Sequence, residues 1–236
     1  MTLSLKTPKY ILSNWIDPNK LYLKFISLNP NAIDYLRENP KKIHWDFLSM
    51  NKNAIELLLE NPEKINWDLL SLNQNAIKLL KENPKKINWN NLSLNPNAIQ
   101  LLIENPSKIN WDHISLNKNA IWIIKENLNR INWHYLSKNK NAIEILEQNI
   151  SKINWDHLSQ NINAIELLDE FEENINWKYL SANKKAFHLL KNNMDKINWN
   201  YLNLNPSPDA ISLLKENPDK LYYYNLSQNP AIFELE

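Results

Sequence analysis

The stretch WDLLSLNQNAIKLLKENPKKIN, residues 67–88, decides the fold because the chain repeats it along most of its length. Eight copies begin with a tryptophan that follows the previous one by 22 residues. These tryptophans are Trp45, Trp67, Trp89, Trp111, Trp133, Trp155, Trp177 and Trp199. A period of this length indicates units that bury their apolar faces only by stacking on similar neighbours. The sequence therefore predicts a solenoid.

Further copies extend the array on both sides. We number positions within a unit from 1, the tryptophan, to 22. One unit begins at Leu23, and a partial unit begins at Tyr223, displaced by two residues because Pro208 and Asp209 lengthen a turn. We expect an N-terminal cap over 1–22, nine tandem repeats over 23–222, and a partial C-terminal repeat or cap over 223–236. An open array of ten units would be roughly 90–100 Å long.

The unit predicts two helices. Apolar residues at positions 10, 11, 13 and 14 indicate a helix over positions 8–16. Asparagine at position 7, as in Asn95, is its expected N-cap, and Asn-Pro at positions 17 and 18, as in Asn83-Pro84, ends it. A short element follows the asparagine at position 22 and runs through W-D-x-L-S. The fold class is thus all-α, a solenoid of stacked two-helix repeats whose short element is an α- or 3-10 helix.

Composition narrows the alternatives. The tryptophans are expected to form a buried spine, and the asparagines to bond turn backbones within and between units, in a chain with no glycine to take positive φ. A leucine-rich-repeat horseshoe is a rival, since 22 residues lies in its range. The chain has no valine and few threonines for strands, and its repeat does not match the frame of that family.

The repeat resembles two families. The motif K-I-N-W-x-x-L-S-x-N-P-N-A-I-x-L-L-x-x-N-P, over about residues 20–236, is similar to tandem repeats of giant DNA viruses of protists, which bring no established activity. Its N-P rhythm also looks distantly like the leucine-rich variant repeat. That second resemblance implies alternating α- and 3-10 helices in a right-handed superhelix. The first implies a viral protein, located in the host cytoplasm or the virion.

Charge and composition exclude several function classes. The net charge is +1 with interspersed signs, so neither bulk nucleic-acid nor membrane attraction is expected. There is no cysteine, and we recognise no signal peptide or apolar run long enough to span a membrane, which favours an intracellular protein. The five histidines are dispersed over different units, and the serine at position 5 recurs in nearly every copy, which indicates a structural hydroxyl. We therefore expect no enzyme, metal or cofactor.

Two columns of recurring positions are candidate binding surfaces. Basic residues at position 20 could follow a phosphate backbone, or could pair with the glutamates at position 16. They are Lys42, Lys64, Lys86, Lys108, Arg130, Lys152, Lys196 and Lys220. Position 3 offers an aromatic and polar stripe, unless these side chains pack sideways on neighbouring short helices. This column includes His113, Tyr135, His157, Tyr179 and Tyr201.

One residue breaks the pattern of the exposed positions. Trp122 occupies position 12, where other units carry mostly charged or polar residues, and is expected to face solvent. Ile103, at position 15 of the preceding unit, could lie beside it, and Leu59 is a further apolar exception at position 15. Trp122 and Ile103 are thus a candidate hot spot for a protein partner or for self-association.

These patterns favour a non-enzymatic repeat scaffold for protein–protein interaction. Binding would use the side chains at positions 2, 3, 6, 12 and 15. One alternative is RNA or single-stranded DNA binding along the basic column at position 20. Another is a structural component of a virion or of its assembly.

Overall fold

The computed structural model describes residues 9–14 and 16–235, and it is helical throughout its repeats. Residues 1–8 and Trp15 of the expected cap lie outside the described residues. The α-helices, α1 to α19 in chain order, are Leu23–Leu28, Ile33–Glu38, Trp45–Met50, Ile55–Leu59, Trp67–Leu70, Ile77–Glu82, Trp89–Leu94, Ile99–Ile103, Trp111–Ser115, Ile121–Lys125, Trp133–Lys138, Ile143–Glu147, Trp155–Leu158, Ile165–Glu170, Trp177–Leu180, Phe187–Asn192, Trp199–Leu202, Pro208–Glu216 and Tyr223–Leu226.

Short elements complete this set. The 3-10 helices are Pro18–Lys20, Pro40–Lys42, Pro62–Lys64, Pro84–Lys86, Pro106–Lys108, Ile150–Lys152, Glu172–Asn174, Met194–Lys196, Pro218–Lys220 and Pro230–Ile232. Two strands, β1 (Tyr10–Leu12) and β2 (Phe233–Leu235), pair antiparallel. None of the described helices is both long and apolar enough to cross a membrane.

The first helix of each unit, helix A, begins at position 1 and is α-helical. In most units the asparagine at position 22 caps it, as predicted: the Asn66 Oδ1 accepts the Leu69 N–H at 3.1 Å. The serine at position 5 links the start of helix A to position 22 of the same unit. The Ser71 hydroxyl donates to the Trp67 carbonyl and accepts the Asn88 N–H, both at 3.0 Å. These bonds confirm a structural hydroxyl.

The second helix, helix B, is shorter than predicted. It begins at position 11 in most units, as in α6, which starts at Ile77 after an Ala76 N-cap. The prediction that position 7 caps this helix is wrong, because that asparagine closes a turn instead: the Asn73 Oδ1 accepts the Asn75 N–H at 3.0 Å. Helix B ends at Asn83-Pro84 as predicted, and a 3-10 turn that was not anticipated follows at positions 18–20.

The core lies between the two helix layers. Leucine or isoleucine at positions 4 and 14, with alanine at position 10, is fully buried, as in Leu70, Ala76 and Leu80. The tryptophans at position 1 pack against this core but are only half-buried. They are therefore not the buried spine that their regularity suggests. The small alanine at the hinge between the helices lets the layers approach closely.

A continuous belt of asparagines joins the units. Each position-7 side chain donates its Nδ2–H to the position-7 carbonyl of the preceding unit, at 2.8–3.3 Å. Its members are Asn29, Asn51, Asn73, Asn95, Asn117, Asn139, Asn161, Asn183, Asn205 and Asn229. All ten are nearly or fully buried. The expected asparagine ladder is thus confirmed, and it runs through every unit.

The belt also closes on itself. Asn29 of the first unit donates to the carbonyl of Asn229 in the last unit, 200 residues away. Asn31 Nδ2 donates to the Pro230 carbonyl at 3.3 Å, which repeats the bond between Asn53 and Pro30 one unit further on. The first unit therefore stacks on the tenth as each other unit stacks on its predecessor.

The N-terminal segment completes the tenth unit instead of capping an open end. Tyr22 N–H donates to the Ser227 Oγ at 3.1 Å, and Lys20 lies over the Tyr223 ring at 5.3 Å. Both contacts are those that positions 22 and 20 make within other units. Strand β1 pairs with β2 beside them. The array is thus a closed ring of ten units, not an elongated rod, because the curvature added by each unit brings its first and last units together.

Candidate functional site

Trp122 and Ile103 lie on the exposed surface of the helix B layer. We call the surface formed by positions 12 and 15 of the helices B the B face. Trp122 is 54% exposed and Ile103 40% exposed, as their positions predict. Leu59 is also 54% exposed, but it belongs to the second unit, whereas Ile103 and Trp122 belong to the fourth and fifth.

Repeat geometry sets Ile103 beside Trp122. A position-15 residue and the position-12 residue of the next unit are 19 residues apart. Two such pairs form ion pairs: Lys125 Nζ lies 2.9 Å from Glu144 Oε2, and Arg37 Nη2 lies 3.9 Å from Glu56 Oε2. Ile103 and Trp122 have the same spacing, so the repeat places an apolar pair at the equivalent positions of the fourth and fifth units.

Polar pairs border this apolar pair. On one side Lys125 bonds Glu144, and on the other the Gln100 Nε2 donates to the Glu104 Oε1 at 2.9 Å. An exposed aromatic residue with an aliphatic neighbour and a polar rim has the anatomy of a small protein-binding hot spot. The arrangement offers shape and exposed apolar area.

The position-3 column packs sideways between units. His113, Tyr135, His157, Tyr179 and Tyr201 are half-buried. Tyr135 stacks on His157 with ring centroids 6.2 Å apart, and Tyr179 meets Tyr201 edge-on at 5.6 Å. The His113 Nδ1–H donates to the Asn90 carbonyl oxygen at 2.8 Å. Of the two alternatives for this column, the structure favours lateral packing, and the side chains retain only part of their surface for a partner.

The basic column at position 20 lies partly over aromatic rings. Lys86 Nζ is 4.2 Å from the Trp67 ring centroid, Arg130 Cζ is 4.0 Å from that of Trp111, and Lys196 Nζ is 4.3 Å from that of Trp177. Lys42 instead bonds the Tyr35 hydroxyl, in the unit that has leucine at position 1. These cations shield the outward faces of half-buried rings. Their described ion pairs are with Glu172 and Asp219, rather than with position 16.

A second surface lies on the inner side of the ring. A cavity of about 390 Å³ is lined by residues at positions 6–8 of five consecutive units, from Gln74 in the third to Ile162 in the seventh. Residues so far apart around the ring can share one cavity only near its axis. Segments linked by such hydrogen bonds lie on the order of 5–6 Å apart, so a ten-unit belt is roughly 16–20 Å across. We call this space the axial cavity.

The sequence predicted that position 6 is a binding position, but it did not predict a role for position 8. Lys138 is the only basic residue at position 6, where five of the ten units carry leucine. This departure from the repeat was the signal in the sequence that could have indicated a charged site. Lys118 and Lys140 lie at position 8 of neighbouring units and line the same cavity. Position 8 looks like a variable, exposed turn residue in an open array. Its inward direction follows only from closure.

The geometry defines a closed all-α repeat protein with an exposed apolar pair on the B face and an axial cavity. Among residues 9–14 and 16–235, no three histidine, aspartate or glutamate side chains converge as metal ligands. Comparisons with family models, with curated proteins and with solved structures find no match for the chain.

Proposed function

We propose that this protein is a non-enzymatic scaffold that binds a protein partner on its B face. The observation that carries the proposal is the exposure of Trp122 at a position where other units have polar side chains. Tryptophan is strongly enriched among residues that dominate binding energy. The folded helix would present this side chain on an ordered backbone, which lowers the ordering cost of binding and so favours affinity.

Nucleic-acid binding along position 20 has less support. Three of its cations lie over tryptophan rings, and a phosphate contact would compete with those interactions. A salt series separates the two functions, because affinity that depends on phosphate contacts falls steeply as salt concentration rises. The resemblance to viral repeats makes a virus-infected protist the source in which to seek the partner. A structural role in the virion has no specific observation in its favour.

Substitution of Trp122 by glutamate tests the proposal. Glutamate is native at position 12 in Glu56, Glu144 and Glu166, so the W122E variant is expected to fold. Partner retention in affinity purification, and molecular mass by light scattering, are measured for both proteins. We expect W122E to lose the partner, or a self-associated species if the partner is a second copy.

The matched control is Met194→Glu. Met194 is a similarly exposed apolar residue, located three units further along at position 18. This variant should retain the partner. Identical partners and mass for the wild type and W122E would refute the assignment of the hot spot.

A further inference from the structure

The axial cavity gathers three lysines from two adjacent units. Lys118 belongs to the fifth unit, and Lys138 and Lys140 belong to the sixth. Because positions 6 and 8 flank the buried Asn139, both sixth-unit side chains project toward the same axial space. The cavity's volume of about 390 Å³ is within the range of small-molecule sites.

No acidic group offsets this positive charge. The eleven residues that line the cavity include no aspartate or glutamate, and no unit carries an acidic residue at position 6 or 8. Within the described part of the chain, the three ammonium groups have neither an ion pair nor a hydrogen bond to protein. Elsewhere on the ring, cations such as Arg37 and Lys125 lie against glutamates. The axis is therefore an uncompensated cationic site.

Surrounding protein partly desolvates one of these lysines. Water reaches the Lys138 side chain, but surrounding protein removes enough solvent to lower the pKa of its ammonium group. Desolvation is the cause of this shift, and no carboxylate opposes it. A bound anion would relieve the penalty by supplying the missing opposite charge.

The remaining wall is apolar and amide-bearing. Leu94, Leu116 and Ile162 provide hydrocarbon surface, while the Gln74 and Gln160 amides can donate and accept hydrogen bonds. A phosphate monoester suits this combination. Its group carries close to two negative charges near neutral pH and three strong acceptor oxygens, and its organic part would meet the apolar wall.

We propose that the axial cavity binds a small phosphate monoester, with the phosphate held by Lys118, Lys138 and Lys140 and the organic part lying against Leu94, Leu116 and Ile162. This site is separate from the B face and does not depend on the protein-binding function. The ring would thus carry a small-molecule ligand at its centre.

Phenyl phosphate is the simplest probe of this chemistry. Calorimetric titration at low salt should show saturable binding of one molecule per ring. Phenol, which lacks the phosphate, should not bind, and benzoate, with a single charge, should bind at least several-fold more weakly. Absence of saturable phenyl phosphate binding, or equal binding of benzoate, would overturn the proposal.

Native-like substitutions locate the site. Lys138→Leu restores the residue common at position 6, and Lys140→Gln reproduces Gln74, so both variants should fold. Each should weaken phenyl phosphate binding at least ten-fold. Lys81→Gln, on the B face, removes the same charge and should leave binding unchanged. Equal affinity in all three variants would contradict the assignment.

Two further measurements distinguish phosphate monoester binding from nucleic-acid binding and from protein binding on the B face. A single-stranded thymidine decamer that bound more tightly than phenyl phosphate, with the same dependence on Lys138, would replace the proposal with nucleic-acid binding. The W122E variant should bind phenyl phosphate normally. Its loss of a protein partner would therefore leave the axial site intact, so the two proposals fail independently.

Discussion

At the scale of single residues, the belt asparagine makes three hydrogen bonds that define the repeat. Asn117 donates to the carbonyls of Ser93 and Asn95 and accepts the Asn119 N–H, so its amide is satisfied within a fully packed site. The sequence predicted bonds of this kind between units. The sequence did not reveal that these hydrogen bonds stabilise the turns without any positive φ angle. No described residue has a positive φ. Asparagine replaces glycine here through hydrogen bonding, not through backbone freedom.

Replacing Asn117 with alanine should destabilise the ring by about 2–4 kcal/mol. The change removes three hydrogen bonds and leaves the buried Ser93 carbonyl and the Asn119 N–H without these partners, each worth on the order of 1 kcal/mol or more, whereas the Asn95 carbonyl keeps the Ala98 N–H. Urea unfolding followed by tryptophan fluorescence measures the loss.

Asn119→Ala is the matched control. Asn119 is exposed and donates one side-chain hydrogen bond, to the Pro96 carbonyl at 2.8 Å, so its loss should cost no more than about 1 kcal/mol. Equal effects at the two positions would mean that the belt is not a principal source of stability.

At the scale of elements, helix ends were partly readable from sequence. The cap at position 22 and the Asn-Pro stop were predictable because each uses a local rule. Helix B was predicted three residues too early, because the asparagine at position 7 uses its side chain to close a turn and to bond the preceding unit. A local pattern could not show that the second partner lies 22 residues away.

Ser227→Ala tests whether the N-terminal segment completes the tenth unit. Ser227 is fully buried, donates to the Tyr223 carbonyl and accepts the Tyr22 N–H, so removal of its hydroxyl should cost about 1–3 kcal/mol. The loss of unfolding free energy is measured from the midpoint of urea unfolding.

Ser137→Ala provides the internal reference. Ser137 makes the equivalent bonds to Trp133 and Asn154 within one continuous unit. The two substitutions should agree to within about 0.5 kcal/mol, since equivalent bonds at buried sites should contribute similarly. A negligible loss for Ser227→Ala alone would indicate that the N-terminal segment does not dock on the tenth unit.

At the scale of the whole molecule, the number and stacking of units were predictable, but closure was not. The curvature of a repeat array depends on a small rotation per unit, and ten such rotations decide between a ring and an open superhelix. One signal was present: Asp17-Pro18-Asn19-Lys20-Leu21 matches the end of a unit, and the unit that begins at Tyr223 is partial. The segment that ends at Tyr22 and the partial unit that begins at Tyr223 together form the tenth unit.

The two candidate sites also differ in whether one repeat unit contains the information that predicts them. The exposure of Trp122 followed from its position within one helix, so sequence sufficed. The axial cavity requires residues from Gln74 to Ile162 to face a common centre, which is a property of the ring. No single repeat contains that information.

Small-angle X-ray scattering of the purified monomer tests closure most directly. A closed, compact ring of 236 residues should have a radius of gyration of roughly 18 Å. An open array of ten units about 95 Å long would give roughly 28 Å, since its spacing would follow that of packed helices. A value near 18 Å is the expected result, and a value near 28 Å would contradict the ring and, with it, the axial cavity.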